Sequence, residues 1–143
     1  MSRRARASFA AELRAVAFLA PLSDDQVADL AGRALRTREP AGMVFSKEGE
    51  RGDEMVVVLD GEVEVRRDGR VVATLGPGAY VGEMALLAEQ PIRTATVVAR
   101  TPVVIAYLAR HDVETVLAAA PAVLAELRAT VAARAAAPPP AAG

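Results

Sequence analysis

The chain has 143 residues, enough for one domain and few for a second, and its 52% hydrophobic fraction supplies a core and excludes wholesale disorder. With 17 basic and 18 acidic residues the net charge is −1, which predicts no general attraction to nucleic acid or anionic membrane. Cysteine is absent and His111 is the only histidine, so disulfides, thiolate chemistry and sites needing two imidazoles are excluded.

The N-terminal Met1-Ser2-Arg3-Arg4-Ala5-Arg6 resembles the charged head of a signal peptide, but Glu12 and Arg14 interrupt the apolar region that should follow. The arginines there read as a solvated terminus. The longest apolar stretches, near residues 56–59 and 102–109, are far too short to cross a bilayer, so a soluble, cytoplasmic chain without membrane contact of its own is expected. Residues 8–36 read as helices. Phe9, Leu13 and Val16 recur at i, i+4, i+7, and Pro21 ends the run. Ser23 and Gln26 have capping-box spacing ahead of a second stripe of Val27, Leu30, Ala31 and Ala34.

After Pro40 the texture changes to short β-rich runs punctuated by glycine, and residues 37–109 read as a small barrel, jelly roll or β-roll. Strands are expected at 55–59, 62–67, 70–75, 92–99 and 103–108, with Asp68-Gly69 as a two-residue hairpin turn. Helix returns over 110–137, with Val113, Val116 and Leu117 on one stripe, a break at Pro121, and Leu124, Leu127 and Val131 on another. Residues 138–143, Pro-Pro-Pro-Ala-Ala-Gly, have no means of packing and are expected to be a disordered tail. The fold class is therefore α+β: an antiparallel, jelly-roll-like β-roll flanked by N-terminal helices and a C-terminal helical pair. Residues 1–137 form a single domain, with no internal repeat.

One segment, residues 82–97, interrupts the roll with a short helical turn opened by Gly82. Unpaired N–H groups at such a turn form an anion site. Arg93 is expected to enter the next strand on the face of Ala95, Val97 and Ala99, where a guanidinium is costly unless an anion meets it and the alanines leave room for one. Glu83 beside a bound phosphate is repulsive unless it accepts a hydrogen bond from a neighbouring sugar hydroxyl. Phosphate plus ribose hydroxyl means a nucleotide.

Gly82-Glu83-Met84-Ala85-Leu86-Leu87 followed by Arg93-Thr94-Ala95-Thr96-Val97 resembles the phosphate-binding cassette of cyclic nucleotide-binding domains, and the likeness extends from about residue 8 to 136. The nearest likeness is to the regulatory domain of bacterial cyclic nucleotide-gated potassium channels. The resemblance implies that Glu83 binds the ribose 2′-hydroxyl and Arg93 the cyclic phosphate, helped by the backbone N–H groups of Met84 and Ala85. It places Val65 in an apolar wall near the base and Arg134, near the end of the last helix, against the purine. Leu124, Leu127, Val131 and Arg134 share one face, which is expected to close over the roll, whereas Arg128 is less well aimed. Each residue also has a plainer reading. Glu83 and Arg93 would make an internal salt bridge, Val65 is ordinary roll core, and Arg134 is an exposed cation favoured by the helix dipole. Thr94 is either a β-branched strand residue or a hydroxyl on the phosphate or base, and it leaves the base open.

The leading expectation is a non-enzymatic sensor that binds cyclic AMP (cAMP) or cyclic GMP (cGMP), needs no cofactor or metal, and moves its C-terminal helices to regulate an attached or separate channel or other effector. A catabolite-activator-type transcription regulator requires a helix-turn-helix beyond the last helix, where Pro138-Pro139-Pro140 stand instead, so on that alternative the chain is a truncated ligand-binding part of such a regulator. A cupin-like metal oxygenase is disfavoured by the single histidine. A ligand-free interaction module is the remaining alternative.

Overall fold

The computed structural model describes residues 2–82 and 92–136, with the last three as backbone only. Helix α1 (Arg3–Arg14) starts ahead of the expected residue 8, because Ser2 caps it by accepting from the Ala5 N–H at 3.0 Å. Phe9, Leu13 and Val16 are all buried, and Val16 lies just past the helix, where a 3₁₀ turn (Ala17–Leu19) begins. Arg14 secures this corner by donating to the carbonyls of Leu19 (2.9 Å) and Ala20 (3.2 Å) at the end of the 3₁₀ turn. Helix α2 (Asp24–Arg33) opens with the expected capping box. The Gln26 N–H donates to Ser23 Oγ at 3.1 Å, and the Ser23 N–H donates to Gln26 Oε1 at 2.8 Å.

Eight strands follow: β1 (Leu35–Glu39), β2 (Val44–Ser46), β3 (Glu54–Asp60), β4 (Val63–Arg67), β5 (Arg70–Leu75), β6 (Tyr80–Val81), β7 (Thr96–Ala99) and β8 (Val103–Ala109). They form two antiparallel four-stranded sheets, ordered β1-β8-β3-β6 and β2-β7-β4-β5. The β4–β5 turn has positive φ at both Asp68 (50°) and Gly69 (77°), as a type I′ hairpin requires. Strand β1 begins before Pro40, inside the stretch expected to be helical. It is an edge strand without apolar alternation, held by its ladder to β8 and by Arg36, which donates to both carboxylate oxygens of Glu12 on α1 (2.9 and 3.1 Å).

Alternation along β3 and β8 produces two cores. Met55, Val57, Ala106 and Leu108 point to the helices, while Val56, Val58, Val103 and Ile105 point between the sheets. Strands buried on both faces read as continuous apolar runs, as 55–58 does. Helices α3 (Arg110–Val116) and α4 (Pro121–Ala136) follow β8, with Pro121 as the first residue of α4. Leu127 and Val131 are buried in the helical core with Phe9, Leu13 and Phe18, and α4 contacts the 3₁₀ turn. This corrects the expectation that the α4 stripe closes over the roll. The outer face of the β3–β8 sheet is itself apolar and must be covered, so the stripe is buried there instead.

Candidate functional site

Arg93 is not part of strand β7. Strand β4 turns away at the Asp68-Gly69 hairpin, and its last pairing with β7 is Arg66 opposite Thr96. Backbone ahead of Thr96 must find other partners. The Arg93 N–H donates to the Glu50 carbonyl at 2.7 Å, and the Arg93 carbonyl accepts from the Gly49 N–H at 2.8 Å. Ile92 pairs with Arg51 in an isolated bridge. The β2–β3 loop therefore holds Arg93, whereas Ala95, Val97 and Ala99 are buried, the last two between the sheets, as the alternation requires.

The half-buried Arg93 side chain runs back across the end of β3. Its Nη1 donates to the Glu54 carbonyl at 2.7 Å. A Cβ built on Gly52 would overlap the guanidinium, and one on Gly82 would stand 2.6 Å from Nη1 and 2.8 Å from the Glu54 carbonyl oxygen. Gly82, with φ of +79°, is constrained by its backbone as well. Two glycines and a strand-end carbonyl thus form a slot for the guanidinium. Among the described residues no carboxylate lies within ion-pair distance of it. A guanidinium carries five N–H donors, so anchoring one nitrogen leaves a planar fork that can meet an anion bidentately.

Val65 stands between Val97 on β7 and Ala73 on β5 and packs against the core between the sheets. Thr94 is exposed in the bend before β7. The neighbouring hydroxyl with a structural role is Thr96 Oγ1, which accepts from the Glu48 N–H at 3.0 Å. Glu83, Met84, Ala85 and the expected short helical turn lie outside the described residues, as does the side chain of Arg134. Sequence reasoning missed Gly52 and the Glu54 carbonyl. Gly52 looked like one more turn glycine, and a backbone oxygen has no sequence signature.

Arg128, expected to be poorly aimed at the roll, has another task. Glu114 on α3 accepts from Arg110 Nε at 2.9 Å and from Arg128 Nη2 at 2.6 Å, tying α3 to α4. These guanidinium contacts, that of Arg110 foremost, hold the Glu114 carboxyl below the usual carboxylate range. The first residue of α3 is also tied to the loop beside the slot, since the Arg110 N–H donates to the Asp53 carbonyl at 3.1 Å. On the other side of β3, Tyr80 of β6, two residues before Gly82, stacks on Phe18 of the 3₁₀ turn with ring centroids 4.5 Å apart.

A two-sheet roll flanked by helices, with one arginine anchored on a strand-end carbonyl, defines a domain of the β-roll class. The family profile described as "Cyclic nucleotide-binding domain" matches residues 37–120, and the chain belongs to that family. A cyclic nucleotide-gated potassium channel of Mesorhizobium japonicum is 42% identical over 99 residues, 68% of this chain but 27% of the channel. The chain therefore matches about a quarter of that relative's length. The N-terminal domain of a transcriptional regulator from Streptomyces coelicolor superposes with a TM-score of 0.71 at 32% identity, covering 87% of this chain and 89% of that one. The regulatory subunit of a cAMP-independent protein kinase A from Trypanosoma brucei gives 0.79 at 28% identity, covering 94% and 47%. Among the described residues no helix is long and apolar enough to cross a membrane, and no group of three or more His, Cys, Asp or Glu could hold a metal ion.

Proposed function

We propose that this chain is a cytoplasmic, non-enzymatic sensor domain that binds a 3′,5′-cyclic nucleotide, cAMP or cGMP, and regulates an attached or separate effector such as a potassium channel. The observation that carries this reading is the Arg93 guanidinium, anchored on the Glu54 carbonyl with no carboxylate partner among the described residues. An anion of fixed, planar-matched geometry completes it, and a cyclic phosphate is such an anion. In the same reading Glu83 accepts from the ribose 2′-hydroxyl, Met84 and Ala85 offer backbone N–H groups to the phosphate, and Val65 lines the base. Thr94 contacts phosphate or base, and Arg134 reaches the purine once ligand binding moves α4 off its packing in the helical core. The effector responds through the two ties from the slot region to the helices, Asp53–Arg110 and Tyr80–Phe18.

Calorimetric titration with cAMP, cGMP and 5′-AMP tests the reading. Micromolar or tighter binding of a cyclic nucleotide with rejection of 5′-AMP supports it, and the absence of binding by either cyclic nucleotide overturns it. The cAMP-independent relative gives the comparison of ligands its point, because the fold alone does not choose one. Arg93→Leu should weaken binding at least about tenfold, the loss of a charge-assisted contact worth roughly 1.5–3 kcal/mol, with the melting temperature held. For Glu83, a 2′-deoxy cyclic nucleotide should bind wild type poorly and lose little more on Glu83→Ala. Additive losses would remove Glu83 from the ribose.

A further inference from the structure

Three described glycines lack a positive φ: Gly32, Gly52 and Gly76. At Gly32 and Gly76 an added Cβ would meet nothing within 4 Å. At Gly52 its three nearest neighbours are Nε, Nη2 and Cζ of Arg93, all closer than any real Cβ contact. Gly52 thus has no backbone need for glycine. What excludes a side chain there is the guanidinium lying across it. We propose that Gly52 is a positioning residue for ligand binding: its bare Cα is the floor that lets Arg93 lie flat, with Nη1 on the Glu54 carbonyl and the rest of the fork turned toward the anion. This rests on the reading of Arg93 as the phosphate contact.

The clash has a particular consequence. The atoms a Cβ would strike are the far end of a flexible side chain, so an alanine at 52 displaces the guanidinium rather than the backbone. The roll stays folded while the arginine loses its anchor and its aim. Gly82→Ala does not separate these effects, because it also strains a left-handed backbone and presses on the Glu54 carbonyl. Gly76→Ala is the matched control, with an ordinary backbone and open space.

The test uses the full 143-residue chain, titrated with cAMP and with cGMP, and the Arg93 Nε–H resonance of the ligand-free protein. Gly52→Ala should keep the melting temperature, shift that resonance, and weaken cyclic nucleotide binding by about tenfold in wild type but less than about twofold in an Arg93→Leu background. Gly76→Ala should move neither the resonance nor the affinity. An Arg93 resonance unmoved by Gly52→Ala, or affinity losses that multiply in the double variant, would overturn the assignment. If wild type binds neither nucleotide, the function proposed above fails, and the resonance shift alone then decides whether Gly52 seats Arg93.

Discussion

At the scale of single residues the site is a problem of aiming a charge. One nitrogen of Arg93 is committed to the Glu54 carbonyl. The remaining donors are useful only if the fork is planar and fixed. Arg93→Lys keeps the charge but offers one nitrogen for both tasks, so binding should fall about tenfold by titration, and wild-type affinity in that variant would show that the fork is not used. Glu114 presents the opposite case, a carboxylate whose partners lower its pKa. A depressed folded-state value contributes stability that is complete above about pH 4.3, the unfolded value, and is lost as pH falls through the lower folded value. The stability gap between wild type and Glu114→Gln should therefore close on acidification through that window, measured by denaturant unfolding. Arg128→Met should cost less than about 1 kcal/mol in the same assay, since Arg128 Nε is buried without a hydrogen-bond partner and its removal offsets part of the lost ion pair.

At the scale of elements, local chemistry decides where helices and turns start. The reciprocal Ser23–Gln26 bonds satisfy two N–H groups at the start of α2. Ser23→Ala should destabilise the domain by about 1 kcal/mol in urea, and a change under about 0.3 kcal/mol would mean that the cap is replaced by water. These features were legible because they depend on residues within a few positions of each other. Strand β1 was not. Arg36, Thr37, Arg38 and Glu39 carry no strand period, and only the ladder to β8, far along the chain, makes them a strand. The start of β7 was misplaced for a related reason: the apolar alternation of Ala95, Val97 and Ala99 extrapolates back to Arg93, but the β4 ladder ends at Thr96.

At the scale of the whole molecule, the first sheet separates a helical core from a core between the sheets. Helix α4 contributes Leu127 and Val131 to the helical core, which sets the energy with which it is held. Leu127→Ala should cost about 2–5 kcal/mol in unfolding experiments. In the proposed sensor, movement of α4 must break that packing and the Glu114–Arg128 pair together, so a ligand can move it only by differential binding of the same size.

The sequence by itself determined the class of fold, the cap of α2, the hairpin at Asp68-Gly69 and the family to which the chain belongs. All are encoded by short-range periods, turn chemistry and motif spacing. Tertiary structure decided the rest. It made β1 a strand, took Arg93 off the β7 ladder and laid it across Gly52, and turned the α4 stripe toward the N-terminal helices. It also directed Arg128 to Glu114. In each case the deciding partner lies many residues away: a sheet ladder that runs out, a bare Cα under a guanidinium, an apolar sheet face that must be covered. Periodicity shows which face of an element is apolar, but only the packed chain determines what that face meets.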